Sequence, residues 1–191
     1  MRLVVGMTAV VAALTACGNP YAILPATIPS MVDTVEIFAV NGTGLNRPSG
    51  YVMSSRVPVR LGIDVTAYNF DFLYRIDATT GPELVPYRVV APPPPGSSTL
   101  GFPGLQPSTT GFDAIQEAQQ VGYVVDRPTR IEVGQVLYAR SGLPNGCFLN
   151  IPYYAKLEVL SFDEAARSVR FRVLVNINCG YRQLQPGIPR Q

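Results

Sequence analysis

The chain has 191 residues, with 17 Gly and 18 Pro, a larger share than the roughly 12% of an average protein. It has no His and no Trp, Lys156 is its only lysine, and its formal net charge is +2. These counts exclude a Ser-His-Asp triad, a Cys-His pair and a His-ligated zinc site. The scattered arginines form no basic stripe of the kind that binds nucleic acid. No nucleic-acid partner, metal or cofactor is expected. The length suits one ordinary domain.

Arg2 is followed by an apolar run from Leu3 to Leu14, broken only by Gly6 and Thr8. One positive charge, about a dozen apolar residues and a small-residue end mark residues 1–16 as an export signal. The run is too short to span a bilayer, which takes about 20 apolar residues. It ends Leu14-Thr15-Ala16-Cys17-Gly18. This stretch resembles the lipobox of bacterial lipoproteins, in which small residues precede a cysteine. The resemblance covers residues 1–17 and says nothing about the rest of the chain. It implies that the Cys17 thiol receives a diacylglyceryl group, that the signal is cut before it and that the new amine is acylated. A membrane partner held through that lipid and a place in the cell envelope follow from it. With Gly18 rather than Asp in second position, it implies the outer membrane in a Gram-negative cell. Plain cleavage after Ala16, leaving a free Cys17, is the alternative. Residues 17–31 are then anchor and tether, with three prolines and no charge.

The body, residues 32–185, reads as short strands. Val32 to Val40 is rich in β-branched residues and ends at the turn signal Asn41-Gly42. Val57, Val59, Leu61, Ile63 and Val65 alternate with other residues, and Pro58 marks an edge or a strand start. Phe70, Phe72, Tyr74 and Ile76 alternate with Asp71, Leu73, Arg75 and Asp77. A turn at Thr79-Thr80-Gly81-Pro82 leads to a strand from Leu84 to Val90. Residues 91–111 are rich in Gly, Pro, Ser and Thr and suit a linker loop, in which Leu100, Phe102 and Leu105 are apolar. Phe112 to Gln120 has helical composition and is followed by Gly122. Tyr123–Val125, Arg130–Val133 and Val136–Arg140 resume the strand habit, with a turn at Gly134-Gln135. The last residues, 186–191, form an extended tail.

The sharpest pattern lies near the C-terminus. Val169, Phe171, Val173, Val175 and Ile177 make one apolar row, opposed by Arg170, Arg172, Asn176 and Asn178 and interrupted by Leu174. The preceding strand has Ala155, Leu157 and Val159 apolar, with Lys156 and Glu158 on its polar side. In a hairpin the apolar rows share a face only if paired numbers sum to an even value. A sum of 332 pairs Val159 with Val173, and a sum of 330 leaves a three-residue loop; loops of two or four residues put the rows on opposite faces. Excluding Cys17, the remaining cysteines are Cys147 and Cys179. An exported chain with an even remainder suggests that they form a disulfide, with two buried thiols as the alternative.

Strands at short spacing, frequent turns and one short helix indicate a mainly β domain, an antiparallel sandwich or small barrel. Asp64, Asp71, Asp77, Glu83 and Glu132 are candidates for a carboxylate pair in acid–base chemistry. Turn formation is the simpler reading of the aspartates. Lys156 reads as part of a solvated strand face, and Arg167, Arg170 and Arg172 as surface charges that guard a strand. Tyr153, Tyr154 and Tyr181 fall near the cysteine pair and are candidates for stacking on a ligand such as a glycan. The expected function is an envelope protein that binds a protein or glycan, or is structural, rather than an enzyme. A carboxylate-dependent envelope hydrolase is the alternative.

Overall fold

In the computed structural model the residues described are 23–61, 70–96, 101–142, 147 and 151–190. The apolar run, Cys17, Asp64 and the second half of the predicted strand after Leu61 lie outside them. The strands are β1 (Val32–Phe38), β2 (Gly50–Val52), β3 (Val57–Val59), β4 (Phe72–Asp77), β5 (Gly81–Pro86), β6 (Gly104–Ser108), β7 (Thr129–Arg130), β8 (Val136–Arg140), β9 (Tyr154–Asp163) and β10 (Ser168–Asn176). They form two antiparallel sheets. Sheet one has the order β1-β10-β9-β8-β6, and sheet two has the order β3-β2-β4-β5-β7. The mainly β class is therefore met, as an open sandwich and not as a closed barrel.

Alternation explains why the sheets stack. Val169, Phe171, Val173 and Val175 of β10 turn inward beside Val35 and Ile37 of β1, and Ala155, Leu157 and Val159 of β9. Sheet two meets them with Tyr51, Phe72, Tyr74 and Leu84. The two sheets touch through an aromatic trio. Tyr51 stacks on Phe72 at 5.5 Å and meets the edge of Phe171 at 5.9 Å. Pro58 falls in the edge strand β3, where a missing ladder donor costs least.

The hairpin obeys parity by an indirect route. Phe171 faces Val159, Val173 faces Leu157 and Val175 faces Ala155, so the body of the hairpin has the register that sums to 330. A bulge then shifts the pairing between Arg170 and Phe171, and Val169 faces Phe162. One extra residue on β9 is absorbed there. The turn is consequently four residues, a length that parity alone rejects. Asp163 Oδ1 accepts the Ala166 N–H at 2.8 Å, and Arg167 takes a left-handed φ of 55°. The Arg167 guanidinium donates to the Asn41 carbonyl, which ties this turn to the loop after β1.

Three expectations need correction. The predicted linker 91–111 contains β6, an edge strand whose Leu105 is fully buried in the sandwich core. Pro107 misled the composition reading, but an edge strand accepts proline. The predicted helix 112–120 is a single 3-10 turn, Phe112–Ala114, followed by extended chain. Its backbone pairs with the C-terminal segment instead: the Ala118 N–H donates to the Arg182 carbonyl at 2.8 Å, and the Leu184 N–H to the Gln116 carbonyl at 2.7 Å. Those two pairings outweigh a weak helical propensity. The predicted strand from Leu84 to Val90 ends at Pro86, and Tyr87–Val90 is one turn of α-helix, α1.

Part of the outer face of sheet one is covered as well. Val136, Tyr138, Tyr154 and Leu174 point away from the sandwich and pack against Phe112, Ile115, Ala118 and Leu184. Leu174, the interruption in the polar row of β10, is buried under that layer. Because Leu105 belongs to the core, Leu105→Ala is expected to lower the unfolding free energy by about 2–5 kcal/mol. Urea denaturation checks this; an unchanged midpoint would restore the linker reading.

Candidate functional site

The outer face of sheet one gathers Lys156, Glu158 and Arg172 under the covering segment. Lys156 is 3% exposed, which corrects its reading as a solvated strand residue. Its ammonium donates to the Phe112 carbonyl at 2.8 Å and the Ile115 carbonyl at 2.9 Å. These are carbonyls that the missing helix would have used. Arg172 bonds Glu158, its cross-strand partner, and grips Asp113 with two N–H groups at 3.1 and 3.3 Å. Lys156 and Arg172 both lie over the Phe112 ring, at 4.6 and 4.2 Å from its centre. Burial holds the Lys156 pKa below the usual lysine range, and the Asp113 charge opposes that shift. The amine is committed to two carbonyls, so its geometry is that of a clamp.

Beyond β10 the chain folds into a second fastening. Cys147 and Cys179 are joined as a disulfide, with Cα atoms 5.6 Å apart. Closing a loop of 32 residues stabilises the fold by roughly 3–4 kcal/mol in the chain-entropy picture. Next to it, the Asn178 side chain accepts the N–H groups of Thr27 and Ile28 at 3.1 and 3.0 Å. It donates back to the Ile28 carbonyl at 2.8 Å. Ser30 and Gly187 exchange two backbone hydrogen bonds of 2.8 Å. Asn176 lies beneath, fully buried, and accepts the Asn178 N–H at 2.9 Å. Residues 23–31, expected as tether, thus run along residues 178–187 as part of the body. Asn176, Asn178 and Arg182 carry no motif that marks them as site residues in the sequence. Two amides, rather than charges, at the end of a polar strand row beside a cysteine were the available signal.

A cleft of about 950 Å³ opens beside this clasp, lined by Ile23, Gln116, Gln120, Tyr181, Arg182 and Arg190 among others. The Arg182 guanidinium donates to the Ala118 carbonyl at 2.6 Å and pairs with Glu117 at 3.2 Å. Four glutamines contribute to the lining, Gln183 and Gln185 among them. They can donate and accept, as hydroxyl-rich or backbone-rich ligands require.

The candidate tyrosines occupy different roles. Tyr181 reaches the cleft but is only 7% exposed. Its hydroxyl donates to the Leu24 carbonyl at 3.2 Å and accepts the Ala26 N–H at 3.1 Å. Tyr154 is buried in the outer layer against Tyr123, and burial raises its pKa. Tyr153 is half-buried and pairs through its backbone with Ser141. Two of the three rings, Tyr154 and Tyr181, are thus buried, and Tyr153 is half-buried.

Among the described candidate carboxylates, Asp71, Asp77 and Glu83 have structural partners. Asp71 accepts the Met53 N–H at 2.6 Å with one oxygen and the Gly142 N–H at 3.0 Å with the other. It joins β4 of sheet two to the chain leaving β8 of sheet one. Glu83 is buried and paired with Arg75, and accepts the Thr80 hydroxyl at 3.2 Å. Asp77 caps its own turn through the Thr79 and Thr80 N–H groups, which hold its carboxyl below the usual range. Glu132 is exposed beside Arg130. Arg170 is exposed, and with Glu36, Asp163 and Glu164 lines a groove of about 800 Å³ at the other end of the hairpin. Among the described residues no group of three or more Cys, Asp or Glu is placed to hold a metal ion. No protein-family model, curated protein or solved structure matches the chain.

Burial raises the Asp71 pKa to about 6, against the two amide bonds that lower it. An acid whose pKa is higher folded than unfolded favours folding most when protonated. Its contribution is complete below the ordinary carboxylate pKa and is lost as pH rises through about 6. Moving from pH 7 to pH 5 is therefore expected to add about 1 kcal/mol of stability from this group. Denaturant unfolding at the two pH values checks it. The gain should vanish in Asp71→Asn; an equal gain in that variant would assign the effect elsewhere.

Proposed function

We propose that this chain is an exported protein held on a cell-envelope membrane by lipid on Cys17, where its sandwich serves as a binding or structural module. The observation that carries the reading is the cysteine pairing. Cys147 and Cys179 bond to each other, and Cys17 is the one cysteine left over. That cysteine stands directly after Leu14-Thr15-Ala16, at the end of the export signal. A disulfide suits an oxidising, exported setting. Two or three acyl chains on Cys17 form a stable anchor, whereas one chain holds only marginally. In a Gram-negative cell, Gly18 favours the outer membrane.

The clasp supports the module half of the reading. It fixes the residues that follow the anchor to the domain, and it shapes the amide-lined cleft beside them. A partner rich in hydroxyl or amide groups, an envelope protein or a glycan, is the chemistry that cleft accepts. The commitment of Asp71 and Glu83 to structural partners favours binding over carboxylate catalysis.

Cys17→Ser is expected to shift the protein from the detergent phase to the aqueous phase in detergent phase separation, with the domain still folded. If the variant stays in the detergent phase, Cys17 is not the anchor.

A further inference from the structure

Five exposed apolar side chains surround the clasp. Leu24 is 64% exposed, Ile28 40%, Met31 64%, Val32 46% and Ile188 56%. They are neighbours for a structural reason. The antiparallel Ser30–Gly187 bridge lays the segment that carries Met31 alongside the segment that carries Ile188, and the Asn178 side chain holds Ile28 in place. Ile23 lies against Gly180, where an added Cβ would come within 3.1 Å of it. Isolated exposed apolar residues are ordinary on a protein surface, but a cluster marks an interaction face.

Few charges lie around the cluster. Residues 18–32 carry no charge, and the only charges after Cys179 are Arg182 and Arg190. Arg190 is exposed, while Arg182 is paired with Glu117. Arg56 leans on the Pro29 carbonyl at 3.2 Å. Asp33 borders the cluster at the start of β1. Apolar side chains flanked by arginine suit a lipid–water interface, where the chains enter the headgroup layer and the guanidinium groups meet phosphate.

The length of chain between Cys17 and the clasp selects the occupant. Five residues lie between Cys17 and Ile23, and the six steps of chain from one to the other reach at most about 20 Å. From Ile23 onward the chain is fastened to the body. β9, with ten residues, is about 33 Å long, and the clasp and the hairpin turn lie at opposite ends of it. A lipid on Cys17 therefore brings the bilayer to the clasp end and leaves the hairpin turn facing away.

We infer that the surface formed by Leu24, Ile28, Met31, Val32 and Ile188, with Arg190, is a membrane-apposed face that rests in the headgroup layer of an anionic bilayer. The inference rests on Cys17 anchoring and adds an orientation to it. The amide-lined cleft beside Ile23 then opens next to the membrane surface, and the groove at the hairpin turn opens away from it.

The absence of tryptophan gives a clean test. The full lipidated protein is placed in vesicles of phosphatidylethanolamine and phosphatidylglycerol that carry brominated acyl chains. It contains one tryptophan, either Met31→Trp or Ile188→Trp in the cluster, or Val133→Trp in the exposed turn before β8. The cluster tryptophans are expected to emit at shorter wavelength and to lose most of their emission, while Val133→Trp keeps its own. If all three are unquenched in protein that remains in the detergent phase, the orientation is overturned and the Cys17 anchor stands. Equal quenching at all three positions means that the domain tumbles, which also overturns it. If the lipid-bearing protein does not partition into detergent, the anchor fails and the orientation falls with it.

Discussion

Lys156 and Leu174 face each other across β9 and β10, on the side of sheet one that points away from the sandwich, and both are buried. That pairing sets the main constraint on the molecule. A strand with apolar residues on one side and Leu174 on the other cannot leave either side in water without cost. Burying an ammonium is costlier still unless it is satisfied. The chain meets both demands with one device: a third layer, residues 112–118, whose Phe112 and Ile115 carbonyls receive the lysine while their side chains cover Leu174. The layer is then extended by the C-terminal segment, which pairs with it at Gln116 and Ala118.

The clasp follows from this arrangement. The segment that covers sheet one continues to Gly187, and Gly187 pairs with Ser30. The chain before β1 is thereby bound to the chain after β10, with the disulfide and the Asn176–Asn178 pair at the junction. The cleft is a by-product of the same junction, since its lining comes from the covering layer, the C-terminal segment and Ile23.

Legibility in the sequence follows the physics of each element. The alternating rows of β4, β9 and β10 were visible because one face of each is continuously apolar. The disulfide is legible once Cys17 is set aside, because Cys147 and Cys179 then remain as a pair. The β6 strand was hidden because Gly104 and Pro107 belong equally to loops and to edge strands, and only Leu105 betrays the core. The short helix was misassigned because residues 112–120 have local helical preference, while their backbone partners, Lys156 and residues 182–184, are distant in sequence. Lys156 looked solvated for the same reason: burial of a lone lysine depends on carbonyls some 40 positions away. Position near Cys179 does not tell a ligand-facing tyrosine from a packed one, and the Tyr154 and Tyr181 rings are buried.

Amide hydrogen exchange on Lys156→Met tests the dependence of the outer layer on the buried lysine most directly. The substitution keeps the length of the side chain and removes the donor from two buried carbonyls. The account predicts that residues 112–118 and 182–187 lose protection together, while the β9–β10 hairpin and the aromatic trio between the sheets keep theirs. Unchanged protection over 112–118 would contradict it, because the layer would then be held without the lysine.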